Sequence, residues 1–203
     1  FLVNTCKNLP KIKYIITLDS DTKLVLGTAE KLVGAMAHIL NKPEVNKIIN
    51  TVCSGHALIQ PRIGVNILDE RRNIFTRLFS AEGGTDLYTN AISDVYQDNF
   101  DEGIYTGKGI YDLDVFNEVL KDVIPENTVL SHDLLEGSFL RCGLASDIVL
   151  MDGYPSNYLA YKIRKHRWIR GDVQVLPWIK STLNALSKYK ILDNIVRDLK
   201  EFF

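Results

Sequence analysis

"KYIITLDSDTKL", Lys13 to Leu24, is the stretch on which the reading of this chain turns. Tyr14 to Leu18 is a short apolar, β-branched run of the kind that forms a strand covered on both faces. It stops abruptly at Asp19-Ser20-Asp21. Two carboxylates are costly to bury unpaired, so they either hold something charged or decorate a turn. In an open α/β sheet, ligands bind in the crevice beyond the carboxyl ends of the strands. Aspartates at i and i+2 on a bending chain can present oxygen to one hard divalent cation, which also takes water and a substrate's phosphates as ligands. D-x-D alone is common and usually marks a capped turn, so the motif needs company.

The rest of the chain limits what those acids can belong to. Its 203 residues are enough for one large domain with a real core. At 46% hydrophobic and 24% charged residues it reads as soluble and globular. A net charge of −1 gives no general pull toward nucleic acid or an anionic membrane. Cys6, Cys53 and Cys142 are far apart and form no C-x-x-C pair, which suits a reducing compartment better than a disulfide framework or a zinc site. No apolar run in these residues is long enough to span a membrane, and none is expected to be a signal peptide. Because the chain opens at Phe1, on the approach to a strand, we expect it to be a piece of something longer.

Outward from the acids, strand and helix patterns alternate. After Gly27 and Thr28, the apolar positions from Ala29 to Leu40 fall at helical spacing until Asn41-Lys42-Pro43 stops them. Ala57 to Gln60, before Pro61, reads as a second strand, and Ile74 to Ala81 as a helix. Val115 to Val123, His132 to Cys142, and one long run from Asn157 to about Lys188 are further helix candidates, with a strand at Asp147 to Met151. The alternation predicts an α/β fold, a sheet flanked by helices in a single domain over 1–203. Between Ala81 and Gly107 six acids and the aromatics Tyr88, Tyr96, Phe100 and Tyr105 occur with no lysine or arginine. That segment is either a solvated excursion pinned to the core by its rings or the wall of a groove for polyhydroxylated ligands.

Company for the acids comes from the second half. "TVLSHDLLEGSFLRCG", Thr128 to Gly143, puts Asp133 at a helix N-terminus, where the dipole favours a carboxylate and where a rigid acid near solvent suits a general base. His132 reads as a surface or packing residue. "YKIRKHRWIRGD", Tyr161 to Asp172, places Arg164, Arg167 and Trp168 within one helical turn. Two guanidinium groups beside an indole can grip a diphosphate and stack on a sugar ring, although a basic solvated or membrane-skimming helix reads the same way. Nucleic-acid binding is a poorer reading of one short basic patch. Gly107-Lys108-Gly109 is by itself a tight turn or a close-approach loop.

One acid-ended family is disfavoured by spacing. Haloacid-dehalogenase phosphatases resemble D-x-D-x-T, whereas here Thr22 follows Asp21 directly and Lys23 stands at the threonine position. Asp19-Ser20-Asp21, "SHD" ending in Asp133, and "RKHRW" from Arg164 to Trp168 instead resemble, in order, the D-x-D, T-E-D and Q-x-x-R-W of processive inverting glycosyltransferases, the cellulose-synthase-like enzymes of the glycosyltransferase-A fold. "SDVYQDNFDEGIYTGKGIYDLDVF", Ser93 to Phe116, is similar more narrowly to cyclic β-1,2-glucan synthases. Two departures stand out: "SHD" keeps only the final aspartate, and Arg164 replaces the glutamine.

The resemblance implies a partial glycosyltransferase-A fold that transfers glucose from UDP-glucose to a growing β-1,2-glucan with inversion. Asp19 and Asp21 would hold Mg²⁺ or Mn²⁺, Asp133 would be the base, and Arg167 with Arg164 would offset charge on the departing UDP. Trp168 would stack on the acceptor sugar, and Gly107, Lys108 and Gly109 would lie beside donor or acceptor. It further implies a missing N-terminal nucleotide-binding half and a parent with membrane helices at the cytoplasmic face of the inner membrane, this piece itself being soluble. The isolated chain is then expected to bind UDP-glucose weakly and to transfer little. Two other classes stay open: a non-catalytic glucan-binding or scaffold domain, and a metal-dependent phosphoryl-transfer enzyme built on Asp19 and Asp21.

Overall fold

Residues 10–80 and 91–200 are described by a computed structural model of the chain. In order they form β1 (Tyr14–Thr17), α1 (Thr28–Ala37), β2 (Glu44–Asn46), β3 (Thr51–Ser54), β4 (Leu58–Val65), α2 (Ile67–Glu70), α3 (Ile74–Phe79) and α4 (Ala91–Phe100). There follow β5 (Gly109–Asp112), α5 (Leu113–Leu120), α6 (Asp133–Leu140), β6 (Cys142–Asp152), α7 (Tyr158–Val175) and α8 (Ala185–Lys200). The main sheet has the order β1-β5-β4-β6, and β2 and β3 make a separate antiparallel pair. The chain is therefore α/β, with a mixed sheet flanked by helices.

Strand direction positions everything that follows. β5 is antiparallel to both β1 and β4, and β4 is parallel to β6. β1, β4 and β6 thus run one way and end at the same edge of the sheet, where the oppositely directed β5 begins. Asp19-Ser20-Asp21 just beyond β1, Lys108 just before β5 and Asp152 at the end of β6 arrive at that edge from three remote parts of the sequence. Thr17 lies opposite Gly109, which sets Lys108 beside the exit from β1.

Side chains alternate across the sheet, as a pleated strand requires. Ile59 and Ile110 pack with Leu32 and Met36 of α1 on one face. Leu58 and Tyr111, their neighbours in sequence, pack on the other with Leu135 and Phe139 of α6, Val119 of α5 and Ile191 of α8. Gly109 is required by this packing, since a β-carbon there would meet the Ile59 carbonyl oxygen at 2.2 Å.

Three boundaries differ most from the sequence reading. β4 continues through Pro61 to Val65, because the proline sits at a register shift against β6 where no ladder donor is needed. β6 begins at Cys142 rather than Asp147, its extra length accommodated at that same irregularity. The long helical run from Asn157 breaks after Val175: Pro177 lacks the amide proton that a helix interior uses, a 3₁₀ turn over Leu176–Lys180 intervenes, and Asn184 accepts the Ser187 amide at 2.7 Å as α8 starts. In the acidic segment, α4 forms, and Tyr96 and Tyr105 are buried while Phe100 is exposed. Glu82, Asp86 and Tyr88, like Cys6, lie outside the described residues, and Cys53 and Cys142 are free thiols. No helix among the described residues is long and apolar enough to cross a membrane.

Candidate functional site

The loop after β1 is shaped by its own hydrogen bonds and by the end of β6. The Thr22 amide donates to the Asp19 carbonyl at 3.1 Å and closes a turn around the acids. The Lys23 amide donates to the Met151 carbonyl at 2.7 Å and the Gly153 amide to the Asp21 carbonyl at 3.2 Å, so the loop is stitched along β6. Gly153 packs closely here, where a β-carbon would stand 3.2 Å from Asp21 Cβ. The two carboxylates remain half open, their side chains 53% and 45% exposed for Asp19 and Asp21.

Each acid faces a cation from another element. Lys108 Nζ lies 3.1 Å from Asp19 Oδ2 and 2.9 Å from Asp152 Oδ2, and its side chain is only 7% exposed. Burial pulls the Lys108 pKa down, but Asp152 and then Asp19 outweigh it and the net shift is upward, so the ammonium form is secured. Arg164 Nη1 lies 3.8 Å from Asp21 Oδ2, and its guanidinium covers the Trp168 ring at 4.7 Å. This is the i, i+4 stacking that α7 permits. Arg167 is exposed on the same helix and carries no ion pair among the described residues.

Asp133 completes the group. It opens α6, and Gly107, at φ +88°, brings its α-carbon so close that a β-carbon would lie 3.1 Å from Asp133 Oδ2. Ser131 Oγ donates to the same oxygen at 3.1 Å. The loop carrying Ser131 is held against α7, where Gly171 leaves room for Ser131 and the Leu130 amide donates to Gln174 Oε1 at 2.8 Å. Asp133 is less solvated than the sequence suggested. Burial, then the charge of Glu136, raises its pKa, the Ser131 hydroxyl opposes this, and the charge of Asp19 adds a smaller upward push. Asp133 is thus a half-buried carboxylate of raised proton affinity. Next to it, His132 Nδ1 and Glu136 Oε1 are 2.7 Å apart, and this contact raises the His132 pKa.

The structure therefore gathers Asp19, Asp21, Gly107, Lys108, Asp133, Arg164 and Trp168 at one edge of the sheet. It leaves Arg167 in solvent and turns Gly109 toward Ile59. Asp152, Thr22, Ser131 and Glu136 were not read as site residues from the sequence, although Asp152 carries the same visible signature as Asp19: an acid that ends an apolar strand. Carboxylates, a tryptophan ring and two cationic side chains thus share one edge of the sheet.

The sequence matches a known glucan synthase. The chain is 45% identical over 192 residues to the cyclic β-(1,2)-glucan synthase NdvB of Rhizobium meliloti (strain 1021). The match takes in 93% of this chain but 7% of the synthase, so the chain spans only a small part of the curated relative. No family model matches the chain. The similarity to NdvB supports the glucan-synthase resemblance of the segment from Ser93 to Phe116, and it runs through the loops that carry the acids.

Proposed function

We propose that this chain is the catalytic portion of an inverting glycosyltransferase of the glycosyltransferase-A type, which moves glucose from UDP-glucose to the hydroxyl end of a growing β-1,2-glucan. The observation that carries this reading is the meeting of Asp19, Asp21, Asp133, Arg164 and Trp168, from three separate segments, at one edge of the sheet in a chain similar to a cyclic β-(1,2)-glucan synthase. In the longer protein, we place the reaction at the cytoplasmic face of the inner membrane.

The donor set suits Mg²⁺ or Mn²⁺. Asp19 and Asp21 offer hard carboxylate oxygens, each has one oxygen without a partner among the described residues, and three carboxylates, Asp19, Asp21 and Asp152, share two cationic side chains, Lys108 and Arg164. Bound there, such an ion supplies charge neutralisation to a diphosphate leaving group.

The remaining work falls to the chain's own residues. Asp133 accepts the proton of the acceptor hydroxyl as that oxygen bonds to the anomeric carbon from the face opposite the diphosphate. The bond from that carbon to the diphosphate oxygen breaks, and its electron pair leaves with UDP. Arg164, with Arg167 reaching in from solvent, offsets the charge that develops there. Trp168, held flat by Arg164, stacks on the acceptor sugar and sets its hydroxyl toward Asp133. Gly107 lets the backbone pass close under Asp133, and Lys108 adds a fixed positive charge beside the donor.

The decisive experiment is Asp133→Asn in the full-length protein. Glucan synthesis from UDP-glucose should be abolished while donor binding is preserved. Unchanged synthesis would assign the base elsewhere, and release of phosphate from simple phosphomonoesters would replace the transferase reading with phosphoryl transfer.

A further inference from the structure

Asp152 belongs to no step of the proposed chemistry, yet it is among the most deeply placed acids in the molecule, 2% exposed at the end of β6. Both its oxygens are engaged. Oδ1 accepts the Thr22 hydroxyl at 2.6 Å, and Oδ2 lies 2.9 Å from the Lys108 ammonium. A buried carboxylate is expensive unless it is paired and hydrogen-bonded, and here the pairing is complete. The same ammonium stands 3.1 Å from Asp19 Oδ2. One cation is thus divided between a buried acid that is fixed in place and a half-exposed acid on a loop. Any cation that Asp19 accepts from solution competes with Lys108 for that carboxylate.

We propose that Asp152 is a positioning residue that acts through Lys108, drawing the ammonium toward the buried side and so keeping Asp19 open to a divalent cation. The inference rests on the reading of Asp19 and Asp21 as cation-binding carboxylates. With a carboxylate at 152, much of the attraction of Lys108 is satisfied behind the loop. With an uncharged side chain substituted there, all of it falls on Asp19. Asparagine at 152 can still accept the Thr22 hydroxyl, so D152N removes the charge and retains the loop contact.

Mn²⁺ binding to the full-length protein, followed through the electron paramagnetic resonance signal of free Mn²⁺, tests this without requiring turnover. D152N should weaken Mn²⁺ binding about fivefold, the size expected for redistributing one partly exposed ion pair. K108M should tighten it. Adding D152N to K108M should change nothing further, because the route through Lys108 has been removed. An unchanged affinity in D152N overturns the proposal, as does an equal weakening with Lys108 present or absent. If D152N does not fold, K108M decides alone: affinity no tighter than wild type overturns the competition. D21N separates the two levels of argument. Mn²⁺ binding indifferent to D21N removes the cation-site reading and this inference with it, whereas binding abolished by D21N but indifferent to D152N removes this inference only.

Discussion

The α-carbon of Gly107 sits against the Asp133 carboxylate so closely that a single added methyl group would stand 3.1 Å from Oδ2. The same residue holds φ at +88°, a conformation that L side chains rarely adopt. Two requirements, backbone handedness and clearance for an acid, fall on one position. Gly107→Ala is therefore expected to lower stability by about 1–2 kcal/mol and to displace Asp133 from its hydrogen bond with Ser131. Thermal unfolding measures the first effect. Glucan synthesis by the full-length protein, expected to fall far more than stability, measures the second.

Glu136 supplies a separate handle on the same acid. Its charge is the second cause, after burial, of the raised Asp133 pKa. Glu136→Gln removes that repulsion, so the Asp133 pKa should drop and the carboxylate form should persist to lower pH. The acid limb of the pH profile of kcat/KM should move downward, with the profile otherwise retained. A limb that stays in place would mean that another group titrates there.

How much of this was legible in the sequence depended on whether the signal was local. β1 and its terminal acids were readable because one short apolar run ends in Asp19-Ser20-Asp21, and the Arg164–Trp168 stack followed from i, i+4 spacing on a helix. The pairing of Lys108 with Asp19 was not readable, because it depends on β5 running against β1 in the register that places Gly109 opposite Thr17. Asp152 was missed for the same reason, its strand being parallel to β4 and remote in sequence from every partner it holds. Pro61 misled in the other direction. It looks like the end of a strand, but the register shift against β6 lets β4 pass through it.

Far from the candidate site, Lys190 and Glu102 form a pair buried to 2% and 4% side-chain exposure, with Lys190 Nζ also donating to the Gly103 carbonyl at 2.8 Å. Glu102 was read only as one of the acids of the Ala81 to Gly107 segment, and Lys190 was not singled out. Lys190→Met would leave Glu102 as an unpaired buried charge, at a cost of about 3–5 kcal/mol. Adding Glu102→Gln should recover a large part of that loss. Urea unfolding of the two variants against wild type gives the coupling directly, and a double variant no more stable than Lys190→Met would show that the carboxylate charge is not what makes the single change costly.

Asp172 in α7 makes a pH prediction whose sign follows from its surroundings. Burial, and then the charge of Asp198 from α8, pushes its pKa up to about 7, while Asn194 Nδ2 donates to Oδ1 at 3.4 Å. A carboxyl that is harder to ionise when folded than when unfolded favours the folded state at low pH. Its contribution is full below the unfolded value near 4 and is lost as pH rises toward 7, because the unfolded chain releases the proton first. Stability should therefore fall over that interval to the extent that Asp172 governs it. Asp172→Asn removes the titration and retains a polar partner for Asn194. The variant is expected to be more stable than wild type by up to about 4 kcal/mol at pH 8 and close to it at pH 4. Thermal melts at the two pH values check both halves of the claim, and a stabilisation of equal size at both would assign the effect to packing between α7 and α8 rather than to the charge.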